Sequence, residues 1–155
     1  MKKTLTLLII ALFSLSNIFA QNNSTKKADK LFERLEYVKA AQEYLKLAEK
    51  NPDNYIISRL ADTYYNIFNT KEAEKWYAKI INNDPDAEIV FRYSEMLKAN
   101  RKYKESNVWM SKFSEMKPYD TRAMAFRNTP NYLDKIIERG ERFNVQNLED
   151  INTIS

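Results

Sequence analysis

Cysteine and histidine are absent from this 155-residue chain, and glycine occurs once, as Gly140. Each gap removes a class of chemistry. Without cysteine there is no disulfide framework, no thiolate metal site, no thiol nucleophile and no attachment point for a lipoprotein anchor. Without histidine the usual proton shuttle and the commonest transition-metal ligand are missing. A P-loop needs two glycines and a dinucleotide fingerprint three, so Gly140 alone cannot build a phosphate-cradling loop. Scarce glycine also argues against a turn-rich β architecture. Helices joined by tight turns without glycine remain.

The formal charge of +4 invites a nucleic-acid or membrane-surface reading. The first twenty residues weaken it. Lys2 and Lys3 form a basic start, Leu5 to Phe13 an apolar run too short to span a bilayer, and Ala20 a small residue before Gln21. That is the pattern of a secretory signal peptide over residues 1–20. Its removal takes two of the 25 basic residues and none of the 21 acidic ones, so the mature chain is at +2. We expect an exported, periplasmic protein with no transmembrane segment in its mature form and no affinity for nucleic acid. Lys98 to Lys104 holds four bases, flanked by Glu95 and Glu105, a weak phosphate signal that reads as a solvated loop.

Pro52, Pro85 and Pro118 recur at a step of 33. The same step relates Ala28, Ala61 and Ser94; Leu31, Tyr64 and Leu97; Ala40, Ala73 and Ser106; Tyr44, Tyr77 and Met110; and Leu47, Ile80 and Phe113. Each repeat reads as two helices, a tight turn between them and a proline stop. In the second repeat, Ile57, Leu60, Ala61, Tyr64, Tyr65 and Phe68 mark one apolar face, and Ala73, Trp76, Tyr77, Ile80 and Ile81 mark the other. The residue before proline avoids the α region, and Asp53 and Asp86 stand ready to cap the next helix. Paired small residues such as Ala61 and Ala73 let two helices approach closely. Tyr44, Tyr77 and Met110 are expected to fill the space against the following repeat. One helix pair cannot bury both its faces, so stacked neighbours make the core.

These columns resemble the tetratricopeptide repeat (TPR) family over roughly residues 22–118. The step is 33 where that family has 34, and Leu47, Ile80 and Phe113 stand where it commonly has a small residue. The resemblance implies an all-α solenoid of three helix-turn-helix repeats, 21–52, 53–85 and 86–118, followed by capping helices over 119–139. Asp120-Thr121 is expected to open a helix through about Asn128, with Ala123, Met124 and Phe126 packing on the third repeat. Thr129-Pro130 starts a second short helix that Gly140 ends. In the tail, residues 140–155, Phe143, Val145, Leu148 and Ile151 look extended.

A wider resemblance takes in the leader, Lys27-Ala28-Asp29-Lys30, Asn131-Tyr-Leu-Asp134 and Phe143-Asn-Val-Gln-Asn-Leu148. Together with the repeats these are similar to the start of OmpA-family envelope proteins of bacteria with type IX secretion, which carry TPRs, a WD40-like propeller and a peptidoglycan-binding OmpA domain. It implies that this chain is the front of a longer protein, ending in the first propeller strand.

In the TPR register the first helix of each repeat lines a concave groove. Its rows are Lys26, Arg59 and Arg92; Asp29, Asp62 and Glu95; Phe32, Tyr65 and Lys98; and Thr25, Ser58 and Phe91. Tyr55 adds an aromatic. The groove can hold a peptide or helix of an envelope protein, or each base can pair with the acid three positions on and merely solvate its face. Some TPR proteins grip an acidic carboxy terminus with a clamp of Lys, Asn and Arg. Asp29, Asp62 and Glu95 stand where that clamp has Asn, Asn and Arg, so a neutral or basic partner fits better.

Tyr37, Tyr44, Tyr64, Tyr77, Trp76 and Trp109 recur at repeat spacing and read as inter-helix core. Tyr55, Tyr65 and Phe91 are the candidates for exposure and for an alternative carbohydrate- or peptidoglycan-binding role. For a wall hydrolase only carboxylates are left: Glu33 with Glu36, Asp62, Glu72 with Glu74, or Asp84 with Asp86. Ser24 and Lys27 form a nominal Ser-x-x-Lys without its companion motifs. The expectation is a non-enzymatic interaction scaffold with no cofactor and no metal.

Overall fold

Three aspartates follow or stand near the prolines, and each opens a helix. Asp53 accepts a hydrogen bond from the Ile56 amide at 2.9 Å, Asp86 from the Ile89 amide at 2.9 Å and Asp120 from the Arg122 amide at 2.8 Å. Such caps satisfy amides that a helix start leaves without intrahelical partners. The computed structural model describes residues 24–129 together with residues 135, 138 and 139. Its regular structure is all-helical: α1 (24–33), α2 (Tyr37–Lys50), α3 (Asn54–Asn66), α4 (Thr70–Tyr77), α5 (Ala87–Ala99), α6 (Tyr103–Met116) and α7 (Thr121–Asn128). From α2 onward each helix packs on the next in sequence, and α3 also meets α5. Among the described residues no helix is long and apolar enough to cross a membrane.

The step of 33 reappears in the helix boundaries. α2, α4 and α6 begin at Tyr37, Thr70 and Tyr103, and α3 and α5 begin at Asn54 and Ala87. It reappears also in the backbone, since Leu35, Phe68 and Arg101 all take φ near +60°. Each sits two residues past the last residue of a helix. The next amide, of Glu36, Asn69 or Lys102, donates to the carbonyl five residues back, of Leu31, Tyr64 or Leu97. This is the Schellman closure that glycine usually serves. A side chain at such a position costs about 1–3 kcal/mol, which the packing of the flanking helices outweighs. The price for Phe68 is exposure: it was expected on the apolar face of α3, but the left-handed turn swings it out to 72% exposed.

The expected close approaches are present. Ala28, Ala40, Ala61 and Ala73 are all fully buried. In the third repeat the small pair is Ser94 and Ser106, and their hydroxyls are satisfied by the carbonyls of Phe91 at 2.7 Å and Ser94 at 2.9 Å. Tyr44, Tyr77 and Phe113 are the largest fully buried side chains. Met110 differs from Tyr44 and Tyr77 in being only half-buried.

Two helices depart from expectation. α4 keeps regular geometry only to Tyr77, and tighter turns carry the chain onward, with Ile80 donating to Tyr77 and Asn83 to Ile80. β-branched Ile80-Ile81 and then Asn82-Asn83 are weaker helix formers than the leucines and alanines of α2. The isoleucines stay in the core regardless. On α7, Ala123 is buried and Phe126 half-buried, whereas Met124 is 39% exposed and packs less than expected. Of the second capping helix, Lys135, Glu138 and Arg139 are helical; its remaining residues, the leader 1–20 and the tail 140–155 lie outside the described residues.

Candidate interaction surface

The charged rows form cross-repeat rungs. On the first, the Tyr44 hydroxyl of α2 donates to Asp29 of α1, and the Tyr55 hydroxyl of α3 donates to the same oxygen at 2.7 Å. Arg59 of α3 completes it. Its Nε donates to the Tyr44 oxygen at 3.2 Å and lies 3.9 Å from the Asp29 carboxylate, while its guanidinium covers the Phe32 ring at 3.7 Å. The second rung repeats the pattern 33 residues on. Tyr77 donates to Asp62 at 2.6 Å, Arg92 of α5 pairs with Asp62 at 2.8 Å, and the guanidinium lies 5.2 Å from the Tyr65 ring. Each rung ties one repeat to the first helix of the next.

Partial burial strengthens these contacts, and the titration of their members reflects it. Burial alone would raise Asp29, but hydrogen bonds from Tyr44, Tyr55 and Thr25 and the Arg59 charge outweigh it and hold the carboxyl below its ordinary 3.8. Burial and the adjoining Asp29 push Tyr55 up to about 12 and Tyr44 further. Tyr77 is raised by burial and by the Asp62 charge. Arg92 loses solvation, yet Asp62 more than compensates and raises it.

The expected pairing of each base with the acid three positions on is therefore corrected. Arg59 reaches back to Asp29, Arg92 to Asp62, and the in-helix partner of Arg92 is Glu88, four residues before it, at 3.2 Å. Helical side chains lean toward the N-terminus of their helix, and an acid preceding a base is the favoured order. Glu95, which the in-helix alternative pairs with Arg92, instead meets Lys98 three residues further on, at 3.6 Å. Lys26 is exposed at the start of α1.

The third rung is incomplete. Glu95 stands where Asp62 stood, but Met110 replaces the tyrosine, Ala125 the arginine and Lys98 the aromatic. A cavity of about 240 Å³ opens there, with Phe91, Glu95, Lys98, Met110, Arg122 and Phe126 among the residues lining it. α7 is fastened another way. Arg122 forms a fork on Asp120 at 2.9–3.0 Å, crosses to Glu88 at 3.0 Å and covers Phe91 at 4.1 Å. Hydrogen bonding to Arg122 lowers Asp120 to about 2.

Of the three aromatics expected to be exposed, Tyr55 is, at 45%. Tyr65 and Phe91 are half-buried with arginines against their rings, so neither presents the open face that sugar stacking requires. Trp76 and Tyr77 are core, as expected, while Tyr37, Tyr64 and Trp109 are half-buried around it. Several of the carboxylates considered for a hydrolase are engaged locally. Glu36 binds Arg34 and Lys39, Glu72 binds Lys75 and the Trp76 indole, and Asp86 caps α5. Lys27 pairs with Glu43 at 3.1 Å.

Sequence reading missed Asn100. Its amide nitrogen donates to the Thr70 carbonyl at 3.1 Å and to Glu74 at 2.7 Å, and its oxygen accepts from the Thr70 hydroxyl at 2.6 Å. Lys102 joins Glu74 at 2.6 Å. Polar residues just past a helix end look like solvated loop when read alone. The rungs had a legible signal: Asp, Tyr fifteen residues on and Arg thirty on occur twice in succession. Compared with known proteins, the chain matches no protein-family model and no curated protein.

Proposed function

We propose that this chain is a non-enzymatic protein–protein interaction scaffold of the TPR type, exported to the periplasm and contributing to an outer-membrane and peptidoglycan-associated assembly of the OmpA-family kind. The observation that carries the interaction reading is the repetition at 33 of helix starts, left-handed turns and cross-repeat rungs. Repeats stacked on their sequence neighbours form an extended surface suited to a polypeptide. Export rests on the leader pattern, and the envelope assignment on the motifs of residues 27–30, 131–134 and 143–148. The partner is an envelope protein or peptide, neutral or basic where it meets the groove. Peptidoglycan association is indirect, since the arginines over Tyr65 and Phe91 leave little for direct sugar stacking.

A photo-crosslinking amino acid placed at Tyr55 or Lys98 in the native host tests the reading. It should trap one envelope protein that the same probe at exposed Val38, in the first turn of α2, does not. Equal products at all three positions, or none, would count against the scaffold, and release of muropeptides by purified protein would count against its non-enzymatic character. A reading frame continuing past Ser155 into propeller and OmpA-like sequence supports the envelope assignment; a stop followed by unrelated sequence removes it.

A further inference from the structure

The cavity at the third rung lies where the preceding rungs hold an arginine and a tyrosine. Stepping 33 residues from the second rung takes Asp62 to Glu95, Tyr77 to Met110 and Arg92 to Ala125. The carboxylate is retained, while the two side chains that engaged it are replaced by shorter ones. At about 240 Å³ the space is smaller than the roughly 300–1,000 Å³ that holds a drug-sized ligand. It suits one long side chain. In both complete rungs a guanidinium from the first helix of the following repeat meets the carboxylate. We propose that the third-rung pocket takes an arginine side chain of a partner polypeptide, its guanidinium on Glu95 and its stem against Met110 and Phe126. This rests on the interaction reading and names the chemistry of the partner.

The charges nearby fit that occupant. Arg122 also lines the cavity, but the carboxylates of Asp120 and Glu88 engage it and offset its charge toward an incoming guanidinium, while leaving it little to offer an anion. Lys98 holds Glu95 at 3.6 Å with both side chains over a third exposed, an arrangement contributing only about 0.2–0.5 kcal/mol. A guanidinium delivering two parallel hydrogen bonds displaces it. Ala125 lines the cavity and is exposed, so Ala125→Arg can supply the missing group from within without disturbing the core.

The test uses the full chain labelled at methionine methyl groups, with N-acetyl-arginine amide as probe and N-acetyl-citrulline amide as its uncharged isostere. Arginine amide should shift the Met110 methyl and leave buried Met96 unmoved, with citrulline amide binding about tenfold more weakly. Glu95→Gln should reduce arginine binding to the citrulline level, Ala125→Arg should abolish it, and Lys98→Ala should strengthen it. Equal responses to the two amides, undiminished binding to E95Q or A125R, weaker binding to K98A, or a silent Met110 would each overturn the proposal. A silent Met110 alongside a specific cross-link at Tyr55 would refute the pocket and leave the scaffold reading standing. The opposite pair of results would do the reverse.

Discussion

Replacing Tyr77 with phenylalanine removes one oxygen from the middle of the second rung and little else. The ring is fully buried, and the phenyl group occupies the same space, so no sizeable cavity forms. What is lost is the hydroxyl's 2.6 Å hydrogen bond to the Asp62 carboxylate. Hydrogen bonds to charged groups contribute about 1.5–3 kcal/mol. Asp62 keeps Arg92 at 2.8 Å, so it is not stranded, and the cost belongs at the lower end, about 1.5–2 kcal/mol. For a domain of this size that lowers Tm by about 5–9 °C. Urea unfolding followed by far-ultraviolet circular dichroism measures it, with the midpoint falling and the slope unchanged. Tyr119→Phe is the control, because Tyr119 is 91% exposed and its substitution should cost nothing measurable. A loss for Tyr77→Phe below about 0.5 kcal/mol, the scatter of surface substitutions, would mean the rung is not a fastening.

The other rung and joint make their own predictions. Because Asp29 titrates below its ordinary 3.8 in the folded state, its contribution is present above that pH and is lost as pH falls through the folded value; Asp29→Asn should flatten the acid limb of a stability-against-pH curve, and an unchanged limb would contradict this. At the alkaline end, tyrosines raised in the folded state stabilise below pH 10 and stop doing so as pH climbs through their folded values. Phenolate absorbance, compared with Tyr→Phe variants to assign the steps, should therefore show Tyr55 ionising near pH 12 and Tyr44 and Tyr77 later still; ionisation of these three near 10 would mean the rungs are open. Asn100→Ala, which removes three hydrogen bonds between α4 and the α5–α6 turn, should cost about 2 kcal/mol in the same urea assay; no loss would make that joint incidental.

Much of the fold was legible because it is written twice or three times. A proline, a capping aspartate and a small buried residue recurring at 33 fix where helices begin, end and touch, and Ala61 against Ala73 needed no further information. Position along a face was harder. Phe68 has the spacing of a core residue, but the left-handed turn that closes α3 takes it out of helical phase. Charge pairing was harder still. Arg59 has Asp62 three residues ahead and Asp29 thirty behind, and sequence distance favours the nearer. Space favours the farther, because the side chain leans toward its helix start and Tyr44 bridges the remaining gap. The third-rung cavity was hidden for a related reason: it is defined by Met110 and Ala125 being smaller than the residues 33 before them, and a shortened side chain leaves no motif.

The central claim, that Asp62 fastens its repeat to the next across the stack and does not pair with the arginine on its own helix, is tested most directly by two double-mutant cycles sharing Asp62. One pairs Asp62→Asn with Arg92→Met, and the other pairs Asp62→Asn with Arg59→Met. A coupling of about 1 kcal/mol or more for Asp62 with Arg92, and one inside the additivity error of about 0.3–0.5 kcal/mol for Asp62 with Arg59, is the predicted result. The reverse order would contradict it.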